Sequence, residues 1–273
     1  AEEPETRIVL GVRNCDVTAI ALMDRIFLEG DFKDPFYEQR REKLIIVSVD
    51  CVTDADSCFC NLVNLDPFPT EGFDLNFAPV EGGYLVEVGT ERGQELIDDS
   101  GNLFTEGTDR QLAERDANRQ RMRKHLADKN RQYEPSRPID ELMREAVDSD
   151  VWTEFAACCV ECGACSNICP TCHCFYMYDR ECPMAQAKGK TYERVRTWDS
   201  CLFADFARMA GGPAGKPNPR PEIRSRVENR FTHKFLYMLE NYGKLGCTGC
   251  GRCVDACLGG IDPRNVIKTL DRK

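Results

Sequence analysis

The sequence predicts an α+β protein: a small N-terminal α/β sheet domain (residues 1–98), a charged helical linker (99–138) and a C-terminal α-helical domain (139–273). Three observations predict it. Two strand-length apolar runs flank an amphipathic stretch near the N-terminus. A long mixed-charge segment follows. The last half then sets two cysteine runs far apart among helical and coil signals.

Ile8-Val9-Leu10-Gly11-Val12 reads as a buried strand, Asp16 as the cap of the helix after it, and Ile20, Leu22, Met23, Ile26 and Phe27 as that helix's apolar stripe. Leu44-Ile45-Ile46-Val47-Ser48-Val49 is a second strand. A helical crossover between two such strands makes them parallel. Phe73 to Val80 and Tyr84 to Val88 flank Glu81-Gly82-Gly83, a hairpin signature. Between Asp109 and Gln132 charges of both signs mix with few apolar residues. That pattern favours a solvated connecting helix over a basic recognition helix, so Arg119, Arg121, Arg123 and Lys124 are assigned no ligand, and His125 reads as a surface histidine. Pro138 opens the next helix, where Ile139, Leu142, Ala146, Val147, Val151, Trp152 and Phe155 recur every three or four residues and lead into Cys158.

Cys159, Cys162, Cys165 and Cys169, followed by Pro170, fit C-x2-C-x2-C-x3-C-P, and Cys247, Cys250, Cys253 and Cys257 repeat the spacing with Leu258 in place of the proline. This is how bacterial-type ferredoxins hold [4Fe–4S] cubanes, with the fourth cysteine of each run reaching across to the other cluster. Cluster one is therefore assigned to Cys159, Cys162, Cys165 and Cys257, and cluster two to Cys247, Cys250, Cys253 and Cys169. Gly163, Ala164, Gly249 and Gly251 let the backbone curl around an inorganic core. Structural zinc is the competing reading, but it has no use for a third cysteine at x2 and a fourth at x3. Cys169 and Cys247 stand 78 residues apart, a gap that includes a Gly/Pro-rich loop from Gly211 to Pro221. Small βαβ ferredoxins keep their runs closer, so an α-helical ferredoxin-type dicluster domain is expected.

Nine of the seventeen cysteines remain. Cys15 follows the first strand and Cys51 ends the second, which puts both at the carboxyl edge of a parallel sheet, with Cys58 and Cys60 in the next loop. Four thiols at one edge suffice for a third [4Fe–4S] cluster; buried apolar cysteines or a small structural metal site are the alternatives. Cys158, Cys172, Cys174, Cys182 and Cys201 have no partner in sequence and read as packing or as neighbours of the clusters; polysulfide or disulfide reduction through them is the alternative. His173 reads as a hydrogen-bond partner. No residue is assigned a catalytic role.

Composition narrows the rest. Grouped C-x2-C thiols and the acidic start Ala1-Glu2-Glu3-Pro4-Glu5, unlike an export signal, point to metal in a reducing, cytoplasmic setting rather than disulfides. No apolar run approaches the ~18 residues that cross a bilayer. The formal charge is −10. Two oxidised clusters with their thiolates would lower it by roughly four more, which repels nucleic acid and suits basic patches on proteins. No G-x-G-x-x-G follows a strand, and Gly211-Gly212-Pro213-Ala214-Gly215-Lys216 misses the phosphate-loop spacing, so neither flavin nor nucleotide is expected in this chain.

Gly11-Val12-Arg13-Asn14-Cys15-Asp16, Asp34-Pro35-Phe36-Tyr37, Cys58-Phe59-Cys60, Cys169-Pro170-Thr171-Cys172-His173-Cys174, Trp198-Asp199-Ser200-Cys201 and His233-Lys234-Phe235 together resemble the β subunit of soluble sulfhydrogenases and the corresponding iron–sulfur subunit of anaerobic sulfite reductase. The resemblance covers essentially the whole chain. It implies a [4Fe–4S] electron-transfer subunit beside a flavin- and NAD(P)-binding subunit, with a catalytic metalloprotein subunit of hydrogenase or sulfite/sulfur reductase type beyond. Members usually carry a further N-terminal segment and a proline where Asn14 stands.

Overall fold

The computed structural model describes residues 4–181, 192–210, 215 and 217–272. The acidic residues 1–3, Cys182 and most of the Gly/Pro-rich loop (211–214 and 216) lie outside the described residues.

Strand β1 (Arg7–Val12), helices α1 (Asn14–Leu28) and α2 (Pro35–Glu42) and strand β2 (Leu44–Val49) form the expected parallel crossover, with Ile8 opposite Ile45 and Val9 opposite Ile46. β1 is not the buried strand expected: it is the sheet's edge, and Ile8, Val9 and Leu10 are exposed, with only Val12 buried under α1. Strand β3 (Leu75–Val80) runs parallel to β2 and turns back into the antiparallel β4 (Gly83–Val88), giving the order β1-β2-β3-β4. Val12, Val17, Ile46 and Phe73 pack α1 onto one face. Ile45, Val47 and Leu75 meet Leu96 and Ile97 of α3 (Glu91–Asp99) on the other. The helix after β1 starts one turn earlier than expected. Arg13 stands at its N-cap without capping the helix, its guanidinium donating instead to the Asp50 carbonyl at 2.9 Å, and Asp16 is a first-turn acid rather than the cap.

Helix α4 (Asp109–Asn130) begins with a full capping box, Thr108 with Gln111. It is less solvated than its composition suggests. Met122, Leu126 and Asn130 are buried at four-residue spacing, Arg119 bonds Asp50 (2.6 Å) and Glu87, and Arg123 bonds Asp66 (2.5 Å). Both guanidinium groups lie over the Phe68 ring. His125 is exposed, as expected, with Asp54 at 2.9 Å.

The single helix expected after Pro138 is broken into α5 (Ile139–Glu145) and α6 (Val151–Ala156). Asp148 takes a left-handed φ of 61°, and its N–H and C=O leave the helical ladder for Glu228 and Arg224. Beyond it lie α7 (Ala164–Asn167), an antiparallel hairpin of β5 (Phe175–Glu181) and β6 (Tyr192–Trp198), α8 (Ile223–Thr232), a π-helical turn (His233–Tyr237), α9 (Met238–Tyr242), α10 (Arg252–Asp255) and α11 (Pro263–Asp271). The hairpin corrects the helix-and-coil reading of this gap. Its two faces are mostly exposed, so no buried alternation marks it. Opposed ion pairs, Asp179 with Arg194 and Arg180 with Glu193, hold its strands in register.

The largest core joins Leu142, Met143, Val151, Trp152, Val227, Phe231, Phe235, Val266 and Ile267. Phe59, Leu62 and Val63 reach into it from the loop after β2, and Phe59 is fully buried there. Trp152 stacks on Phe231 at 5.8 Å and donates its indole N–H to the Ala146 carbonyl at 2.7 Å.

Candidate metal centre

Two adjacent cavities lie in the helical half. One is lined by Cys159, Cys162, Cys165 and Cys257, the other by Cys169, Cys247 and Cys250, and Cys253 stands on the wall common to both. Each cavity therefore draws thiols from both runs. Two short helices hold the loops. Gly163 (φ 69°) precedes α7 and Gly251 (φ 76°) precedes α10, both in the left-handed conformation that glycine reaches without strain. Among the described residues no three His, Cys, Asp or Glu side chains converge as one mononuclear ion requires. Thiolates around a cubane stand farther apart, each on its own iron, so the donor set fits the cluster better than structural zinc.

Burial is the largest cause raising the thiols of Cys159, Cys165, Cys247, Cys250 and Cys253, the last to about 11. Such groups do not ionise alone; a bound metal ionises them outright. Between the cavities stand two buried cations. Arg230 lines both and Lys234 lines the second. Thr248, in the second cavity, has a buried hydroxyl with no hydrogen-bond partner. Cations and an orphan donor facing thiols are what an anionic sulfur-rich group would satisfy.

The sheet's cysteines approach the second run. Cys51 and Cys250 are electrostatic neighbours of Cys15, and Cys51 and Cys58 are neighbours of Cys60, whose thiol burial raises to about 12. The Phe59 N–H donates to the Gly249 carbonyl at 2.8 Å, and the Cys58 thiol lies 3.8 Å from the Cys250 carbonyl. Arg252 of α10 grips Asp16 of α1 with two bonds of 2.5 and 2.6 Å. The carboxyl edge of the sheet and the second cysteine run thus form one junction.

The spare thiols gather at the base of the hairpin. The Asp199 N–H extends the ladder to the Cys174 carbonyl, and Cys201 follows two residues on. The proximity of the Cys174 and Cys201 thiols pushes that of Cys201 up and that of Cys174 down. The Cys172 and Cys169 thiols act on each other in the same sense, Cys172 raised and Cys169 lowered, and the Cys172 sulfur lies 3.7 Å from Arg230. His173 reaches the Thr171 carbonyl at 3.2 Å, the hydrogen-bonding role expected of it. Cys158 and Cys162 are exposed. Motif spacing assigns Arg230, Lys234 and Thr248 no role, and the resemblance touches only Lys234, because a buried cation and a surface one look alike in sequence.

Paired cysteine-lined cavities on short helical loops define an iron–sulfur electron-transfer protein, and residues 158–261 match the family model described as a 4Fe-4S dicluster domain. A curated relative, sulfhydrogenase 2 subunit beta of Pyrococcus furiosus, is 30% identical over 271 residues, spanning 97% of this chain and 73% of the relative. The chain belongs to the family of sulfhydrogenase beta subunits. Among the described residues no helix is long and apolar enough to cross a membrane.

Proposed function

We propose that this chain is the wire of a cytoplasmic multi-subunit oxidoreductase, carrying one [4Fe–4S] cluster on Cys159, Cys162, Cys165 and Cys257 and another on Cys247, Cys250, Cys253 and Cys169. A third cluster on Cys15, Cys51, Cys58 and Cys60 extends the line through the junction with the second run. Electrons pass between a catalytic metalloprotein of hydrogenase or sulfite/sulfur reductase type and a flavin- and NAD(P)-binding subunit. Flavin and nucleotide belong to the partner, since this sequence has no motif for either.

The observation that carries this reading is the crossing of the two runs: Cys257 of the second run lines the first cavity and Cys169 of the first run lines the second, with Cys253 on the wall between them. Neither cavity holds four thiols of one run. An acidic chain of formal charge −10 supports encounter with basic partner surfaces, weakened by salt. The test is reconstitution: NAD(P)H-driven reduction of the catalytic subunit, followed with and without this chain. Equal rates in its absence would remove it from the path. The gathering of Cys174 and Cys201 at the base of the hairpin, where the Asp199 N–H bonds the Cys174 carbonyl, favours a second reading, polysulfide or disulfide reduction at the spare cysteines. Polysulfide turnover by the isolated chain would decide for it.

A further inference from the structure

We propose that Arg230 raises the reduction potential of both clusters, and Lys234 that of the second alone, each as a fixed buried cation. The proposal rests on the cluster assignment above and adds what tunes it.

The two side chains stand four residues apart, Arg230 in α8 and Lys234 in the π-helical turn that follows, and both line the second cavity. Arg230 is 9% exposed and Lys234 6%. The Arg230 guanidinium donates to the Cys165 carbonyl at 3.0 Å and lies 3.7 Å from the Cys172 sulfur, on the wall common to both cavities. The Lys234 ammonium donates to the Thr171 hydroxyl at 2.5 Å, which is itself 3.2 Å from the Cys169 sulfur. Lys234 lines the second cavity and not the first.

Other buried arginines of this chain have carboxylates: Arg226 has Glu161 at 2.7 Å, and Arg264 has Asp262 at 2.7 Å. Among the described residues, neither Arg230 nor Lys234 has one within ion-pairing distance. A buried charge without a counter-charge is strongly disfavoured, so the negative partner must come from the thiolates and what they hold.

A cubane with four thiolates carries 2− when oxidised and 3− after gaining one electron. A fixed positive charge favours the more negative form, and a buried one is little screened by salt. Shared by both cavities, Arg230 acts on two potentials together and keeps neighbouring sites close in energy. Lys234 then offsets the second from the first.

The test is EPR-monitored potentiometric titration of the anaerobically reconstituted chain, with the signals of the two cavities assigned through Cys159→Ser and Cys247→Ser and that of the sheet edge through Cys15→Ser. Arg230→Met should lower both midpoints, and Arg230→Lys should restore most of the shift. Lys234→Met should lower only the midpoint of the Cys247 site. Full iron content with unmoved midpoints, or equal shifts in Arg230→Met and Arg230→Lys, overturns the proposal while leaving the clusters in place. If Arg230→Met does not load iron, Lys234→Met decides: a shift confined to the Cys247 site supports the proposal, and no shift or an equal shift at both overturns it. A wild-type chain without cubane signals overturns the cluster reading and this proposal with it.

Discussion

Replacing Gly249 by alanine should uncouple the sheet from the second cysteine run. Gly249 has φ 62°, and a Cβ there would stand 2.5 Å from Cys60 Cα and 2.6 Å from both Cys60 N and the Phe59 carbonyl carbon. The left-handed conformation costs an L-residue about 1–2 kcal/mol. Forcing a methyl against backbone adds roughly 1–3 kcal/mol, because no flexible side chain can step aside. Gly260 supplies the control: φ is 68° there too, but nothing lies within 4 Å of the added carbon. For a chain of this size 1 kcal/mol moves Tm by about 2–4 °C. Gly249→Ala should therefore lose about 10 °C and Gly260→Ala about 4 °C in anaerobic differential scanning at one scan rate. Equal losses would mean that the Phe59–Gly249 contact is loose and that the thiols of Cys58 and Cys60 are not held by the second run.

Cys169→Ala should abolish the EPR signal of the site built from Cys247, Cys250 and Cys253, and Cys257→Ala that of the site built from Cys159, Cys162 and Cys165; damage confined to each mutant's own run would refute the exchanged ligands. Anaerobic iron analysis should give about twelve irons per chain, and a value of about eight without zinc would remove the third cluster. Burial first, then the charge of Lys234, holds His233 at about 4, below its ordinary 6.5. The unfolded chain takes up that proton first as pH falls, so stability is full above about 6.5 and declines toward 4, by ~2 kcal/mol at pH 5. His233→Gln should flatten that part of the pH dependence of the urea midpoint, and an unchanged slope would remove His233 as its source.

The cysteine spacing made the ligand loops legible because cubane geometry leaves little freedom in how a backbone wraps it. The parallel crossover was equally plain in the strand-length apolar runs Ile8–Val12 and Leu44–Val49, although burial explains only the second: β1 is an exposed edge from Arg7 to Gly11. What escaped was structure whose stability is not written as periodicity. The Phe175–Trp198 hairpin is exposed on both faces and relies on opposed charges, so only its aromatic and β-branched content signalled it. The break at Asp148 depends on partners about 80 residues away in sequence, Arg224 and Glu228, which no local window contains. Arg119 looked solvated among the charges of its helix and proved to bond Asp50 and Glu87 across the sheet.

The contact between the Cys58 thiol and the Cys250 carbonyl spans 192 residues of chain. A ribosome adding roughly 5–20 residues per second needs about ten to forty seconds to cover that stretch. During that interval the first-made thiols, Cys15 among them, wait without their neighbours. Phe59 likewise has no core to enter, because the helices that bury it have not emerged. Closing so long a loop comes late in folding, when the sequence-distant contacts at last repay its entropy. The nascent chain before the second cysteine run emerges is thus the stage most exposed to oxidation, and the arrival of Cys247 to Cys257 ends that exposure.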